Sequence, residues 1–164
     1  MNTLSSILKF IANRVSCVYK ASGTTETIAL ASGTPTNIPL SASGAVSTGS
    51  GFAVESGGIR VEKAGIYRIT ASAYVRKNSA VAQIGVYARK GTTWSTATEV
   101  LGGMVETDRA AAASHDCVVQ LSTVASLAAG DVLLLGARTM SEAGTCFAQN
   151  TSTFLLVERL AVSE

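Results

Sequence analysis

His115, Asp116 and Cys117 are adjacent in the chain, and by type they come nearest to a nucleophilic site. A thiol and an imidazole activate one another only at hydrogen-bond distance. On a strand, residues two apart share a face but lie about 7 Å from each other, and no third group orients the ring. An ordinary strand histidine beside a buried cysteine is the reading these residues favour. Glu106 and Asp108, read as loop residues, offer two carboxylates where calcium takes about six to eight oxygens, so they are expected to be solvated charges. Trp94 and Tyr87 offer flat faces for a sugar to stack on, with simple packing as the alternative. Asn150-Thr151-Ser152 has the glycosylation pattern and is expected to be a polar turn before the last strand. No G-x-S-x-G elbow, phosphate-cradling Gly-Lys-Ser/Thr loop or H-E-x-x-H pair occurs. The sequence therefore points away from enzyme chemistry, and no cofactor or metal is expected.

A chain of 164 residues buries a full core without staples. Its three cysteines, Cys17, Cys117 and Cys146, are odd in number and lack zinc-site spacing. A Cys117–Cys146 bridge and buried thiols both remain open, buried thiols being the plainer reading. Charged residues are 15% of the chain and hydrophobic ones 47%, against about 25% charged in an average domain. A lone monomer hides so much apolar surface poorly, which points to a symmetric homo-oligomer. The net charge of +2 is too small to suggest a nucleic-acid partner. Lys9, Arg14 and Lys20 carry the bias, leaving 10 basic and 11 acidic residues beyond position 25. No run of about eighteen apolar residues is present, so no membrane-spanning helix is expected. Lys9 and Arg14 interrupt the apolar start, unlike a signal peptide, and synthesis and assembly in the cytoplasm are expected.

The elements that must position these residues are mostly strands. Leu4, Leu8, Ile11, Val15 and Val18 repeat at spacings of 4, 3, 4 and 3, the seam of a short coiled coil, with Asn2 or Thr3 as cap. Residues 1–20 thus read as a helical anchor or trimerisation segment, and 21–164 as the head domain. Helical periodicity then stops. Short strands are expected at Thr27–Leu30 and Thr36–Leu40, a Ser/Gly loop at Ser41–Gly51, and a strand at Phe52–Val54. Gly57 to Val75 reads as two antiparallel strands around a Gly turn. Tyr67, Ile69, Ala71, Ala73 and Val75 face the core, and Ile66, Arg68, Thr70, Ser72, Tyr74 and Arg76 make a mixed opposite face. Val81–Arg89 alternates with Ala82, Ile84, Val86 and Ala88 inward. His115–Leu121 places Cys117, Val119 and Leu121 on one face. Leu127–Asp131 is a turn, Val132–Leu135 a strand buried on both faces, and Phe154–Leu160 the last strand. About eight to ten strands with no second helix make an all-β antiparallel sandwich or jelly roll.

Three ordered stretches, Gly65-Ile66-Tyr67 after Gly58-Ile59-Arg60-Val61, Leu127-Ala128-Ala129-Gly130-Asp131-Val132, and Ser152-Thr153-Phe154-Leu155-Leu156-Val157, resemble the marks of the tumour-necrosis-factor and complement globular-head superfamily. The resemblance covers residues 20 to 160. It implies a jelly-roll head, a homotrimer and no shared catalytic residues. Ile66, Tyr74, Leu134 and Phe154 are the expected trimer-interface residues. The Ala/Ser/Gly/Thr-rich texture and helical start look more like small virion-surface proteins of bacteriophages and prophages. The expected role is a homotrimeric capsid decoration module, anchored to the major capsid or another virion protein through Leu4, Leu8, Ile11, Val15 and Val18. A receptor-binding fibre tip recognising a host-surface glycan or protein is the alternative, and a secreted ligand or lectin-like protein is the rival of another class.

Overall fold

The computed structural model describes residues 16–20, 27–40, 46–48, 51–55, 57–77, 81–108, 115–140, 144–146 and 152–162. They form thirteen strands in two antiparallel sheets: β1(Ser16–Lys20), β2(Ile28–Leu30), β3(Thr36–Ile38), β4(Val46–Thr48), β5(Phe52–Glu55), β6(Gly58–Val61), β7(Gly65–Lys77), β8(Val81–Lys90), β9(Thr98–Asp108), β10(His115–Leu127), β11(Val132–Thr139), β12(Gly144–Cys146) and β13(Phe154–Val162). This is the expected all-β sandwich. In the first sheet β7 is central: β10 runs along one of its edges over the whole strand, while β13 and then β12 share the other, with β1 and β4 beyond β13. The second sheet runs β5-β6-β11-β8-β9, with β3 also on β11.

Alternation puts one side of every long strand between the sheets. Ile69, Ala71, Ala73 and Val75 of β7, Ile84, Val86 and Ala88 of β8, Leu133, Leu135 and Ala137 of β11, and Leu155 and Val157 of β13 are fully buried there. Each buried Leu or Ile contributes about 1.5–3 kcal/mol over its exposed state. Tyr67, on the same face, is 1% exposed and meets Phe52 edge-on at 6.1 Å between ring centroids.

Gly57 to Val75 is not a hairpin. β6 pairs with β5 and β11 in the second sheet, whereas β7 belongs to the first, so the chain crosses the sandwich at Glu62–Ala64. A hairpin and a corner both write two alternating runs around a turn, which is why the sequence pattern does not separate them. The corner is held by Tyr67 Oη, which donates to the Lys63 carbonyl at 2.6 Å, and by Arg159 Nη2, which donates to that of Ala64 at 2.8 Å. Desolvation raises the Tyr67 phenol above its usual pKa of 10.0, with Arg159 opposing.

The expected 1–20 boundary also shifts. Residues 16–20 are strand β1, with Val18 in register with Leu156 on one side and Val46 on the other. Val18 is thus a sheet residue and not the end of a helical seam, and the sandwich begins by Ser16. A β-branched residue such as valine suits a strand better than a helix, whatever apolar spacing precedes it. Leu4, Leu8, Ile11 and Val15 lie outside the described residues. The Ser41–Gly51 loop contains the short strand β4, and Glu106 and Asp108 belong to strand β9 instead of a loop.

Candidate assembly face

The outward face of the first sheet is set by register. Ile66, Arg68, Thr70, Ser72 and Tyr74 of β7 face outward. Across one edge they pair with Ser126, Val124, Ser122, Gln120 and Val118 of β10; across the other, Thr70 and Ser72 pair with Leu156 and Phe154 of β13. Val118 and Val124, 49% and 57% exposed, are the large hydrophobic residues left open among the described residues. Ile66, Tyr74, Phe154 and Leu156 are half-buried around them. The floor between is small and polar. Thr70 Oγ1 and Ser122 Oγ share a hydrogen bond of 2.9 Å, and Ser72 Oγ donates to the Ser152 carbonyl at 2.6 Å. Arg68 and Glu158 form an ion pair of 3.1 Å toward one end. An apolar band over a satisfied polar floor suits a protein partner far better than a small substrate.

Of the four residues expected at a subunit interface, Ile66, Tyr74 and Phe154 share this face. Leu134 does not: it lies on the other sheet, 1% exposed, with its side chain against Gly58. A residue buried on both sides of its strand looks the same in sequence whether its cover is another subunit or its own chain. Val118, Val124 and Leu156 were missed at the sequence level. The signal was present, because the alternation of His115–Leu121 continues unbroken to Leu127.

The candidate chemical groups resolve as packing. Cys117 and Cys146 are both in register with Val75, one on each side of β7. Two strand spacings put their Cα atoms about 10 Å apart, beyond the 7 Å limit for a disulfide, and neither is in one. Burial pushes the Cys146 thiol from 9.0 up to about 12, against a hydrogen bond from Thr153. Cys117 Sγ donates to the Val75 carbonyl at 3.5 Å, so its thiol points along the sheet toward β7. His115 stands in register with Lys77 at the start of β10. Among the described residues no three His, Cys, Asp or Glu side chains gather as a metal site.

Trp94 and Tyr87 sit on the far side of the sandwich, where guanidinium groups occupy their rings. Arg89 lies 4.5 Å over the Trp94 ring and Arg138 5.3 Å over that of Tyr87. Trp94 Nε1 donates to the Pro35 carbonyl at 2.9 Å.

Each of the three ordered sequence marks has a structural cause. Tyr67 ties the corner between the sheets, as described above. In Leu127–Asp131, Gly130 takes φ +92°, Asp131 Oδ2 accepts from the Ala128 amide at 2.8 Å, and Leu127 is buried beneath. The turn then closes on Val61, whose amide donates to the Asp131 carbonyl at 2.9 Å and whose carbonyl accepts from the Gly130 amide at 2.7 Å. In Ser152-Thr153-Phe154, Thr153 is fully buried and its Oγ1 accepts from the Tyr74 amide at 3.0 Å.

No protein-family model matches the chain, and no curated protein matches its sequence. Solved structures do match its fold. The Eiger TNF of S. frugiperda superposes with a TM-score of 0.69 at 13% identity, over 93% of this chain and 96% of that one. Murine APRIL superposes with a TM-score of 0.61 at 14% identity, over 90% and 99%. Sheet order, the corner at Tyr67 and these superpositions agree that the chain folds as a TNF-like jelly roll.

Proposed function

We propose that this protein is a non-enzymatic module that assembles into a homotrimer through the outward face of its first sheet, and that it is displayed on the surface of a bacteriophage or prophage virion as a capsid decoration protein. The observation that carries the assembly is the band formed by Ile66, Tyr74, Val118, Val124, Phe154 and Leu156 across β13, β7 and β10. Val118 and Val124 stay 49% and 57% exposed among the described residues, with the small polar floor of Ser72, Thr70 and Ser122 between them. Burying it between copies removes apolar surface from water at about 25 cal/mol per Å². The virion placement draws on the sequence: the seam at Leu4, Leu8, Ile11 and Val15 ahead of β1 is the attachment device, and the head needs no catalytic residue.

The test is a deletion ending at Val15, which leaves β1 whole. Light scattering should still give three times the chain mass, while binding to particles is lost. Unchanged particle binding would overturn the attachment role, and a monomeric full-length chain would overturn the assembly. A second reading, a secreted ligand, is favoured by the likeness to Eiger TNF and APRIL. That protein would be found in the medium and not on purified particles.

A further inference from the structure

On the outward face of the second sheet, strands β9, β8 and β11 carry a second feature unconnected with the assembly face. Tyr87 stands between Gly102 and Gly136 in register, and Arg89 stands beside Leu134. A bulge between Ala88 and Arg89 brings Glu99, and not Val100, opposite Arg89. The result is an open groove of about 370 Å³ lined by Pro35, Tyr87, Arg89, Glu99, Gly102, Gly103 and Arg138. It is open because Gly102 has no side chain: a Cβ there would press on the Glu99 carboxylate and stand 2.9 Å from the Tyr87 ring.

The donor set is specific in kind. Two guanidinium groups and one carboxylate line the groove. Each guanidinium is stacked on an aromatic ring, Arg89 on Trp94 and Arg138 on Tyr87, which fixes its plane and leaves its donors directed along its edge. Arg89 Nη1 reaches the Trp94 carbonyl at 3.4 Å, and Arg138 Nη1 reaches that of Gly33 at 3.3 Å. Arg89 Nε is buried, so a ligand in the groove meets this guanidinium through its Nη groups. The stacked arginines exclude the stacking of a sugar on these two ring faces, so recognition here runs through hydrogen bonds and charge.

We infer that this groove binds a carboxylate-bearing sugar, its carboxylate held by Arg89 and Arg138 and a hydroxyl group donating to Glu99. A simple anion would meet Glu99 as a repulsive neighbour, and a neutral sugar would offer the two guanidinium groups no charge to pair with. An acidic sugar uses both. The groove volume suits one ring, at the small end of ligand sites. This inference stands apart from the assembly proposed above, because the site lies on the opposite side of the sandwich and is complete within one chain.

Trp94 is the single tryptophan and stacks on Arg89, so its fluorescence reports the site. Full-length protein is titrated with N-acetylneuraminic, galacturonic and glucuronic acids, with galactose as the neutral control and hexaglutamate as the acidic peptide. At least one acidic sugar should give a saturable change in the millimolar range, with galactose silent and hexaglutamate weaker. Arg138→Gln and Gly102→Val should each weaken binding about tenfold or more, the first by removing a charged hydrogen bond and the second by filling the groove. Far-UV circular dichroism verifies that both variants are folded. No saturable change with any acidic sugar, an equal response to galactose, binding unaltered in both folded variants, or tighter binding of hexaglutamate would each overturn the assignment.

Discussion

The two outward faces of the sandwich solve the same problem differently. Behind the second sheet, the chain covers its own strands: the segment between β8 and β9 lays Trp94 over Gly136 so closely that a Cβ there would fall within the indole, and Leu134 beside it is 1% exposed. Behind the first sheet, Val118 and Val124 remain about half exposed. One face is finished within a single chain, and the other is finished by a copy of it if the proposed homotrimer holds. Apolar residues on an outward face do not by themselves mark an interface; what matters is whether the chain has already spent a loop on covering them.

Paired aspartate substitutions break this comparison most sharply. Leu134→Asp places a carboxylate at a position 1% exposed and packed against Gly58, at a cost of about 4 kcal/mol or more, and should yield insoluble or unfolded protein. Tyr74→Asp, at a half-buried position on the first sheet, should cost the fold only about 1 kcal/mol while shifting the molecular mass toward the monomer. Light scattering and denaturant titration read the two outcomes. A folded Leu134→Asp protein, or a trimeric Tyr74→Asp protein, would mean that the roles of the faces are wrongly assigned.

Trp94→Ala tests the finished face alone. It removes the indole from Gly136 and Arg89 and leaves the Pro35 carbonyl without its donor. Fully buried tryptophans lose about 3–5 kcal/mol on truncation; Trp94 is half-buried, so about 2 kcal/mol is expected from denaturant unfolding, with the oligomeric mass unchanged. A change in mass would tie the second sheet to assembly after all.

Much of this architecture is legible in the sequence because alternation and turn chemistry are local. The inward faces of β7, β8 and β11, the Gly130-Asp131 turn and the two-sided burial of Val132 to Leu135 follow from residue spacing alone. The crossing between β6 and β7 does not, since the partner of Val61 is a turn about seventy residues later and no local pattern encodes it. Val18 reads as part of a helical seam because four apolar residues before it keep the same spacing, whereas its register with Leu156 is decided by the last strand. Leu134 and Tyr74 read alike for the same reason, as apolar residues facing away from the core. The groove was half visible. Trp94 and Tyr87 could be named, but the arginines that occupy their rings come from β8 and β11, brought together only by the sheet.

The core between the two faces gives a pH-dependent signature. The Cys146 thiol titrates near 9.0 when unfolded and at about 12 in the fold, because burial disfavours the thiolate. A group whose pKa is raised on folding contributes its full stability below the unfolded value and loses it as pH climbs through the folded one. Stability should therefore fall between pH 9 and about 12, and Cys146→Val should flatten that slope. Tyr67 and Tyr87, both raised by desolvation, act in the same direction and preserve part of the slope in the variant. An identical slope in both proteins would show that the thiol is hydrated in solution.

The smallest effect concerns an ion pair on the open face. Arg68 Nη1 lies 3.1 Å from Glu158 Oε2, with the arginine side chain 48% exposed and the glutamate 18%. Pairs open to water on one side contribute under about 1 kcal/mol, because solvent screens the attraction and two long side chains lose rotamer freedom. In a monomer, Arg68→Ala should thus lower stability by no more than about 0.5 kcal/mol. In a trimer built on this face, the same substitution leaves Glu158 dehydrated among apolar neighbours, and a desolvated carboxylate without its partner costs several times more. Comparing Arg68→Ala in the parent and in the Tyr74→Asp background separates the two cases: a larger loss in the parent places the pair inside an interface, and equal small losses in both leave it at the edge.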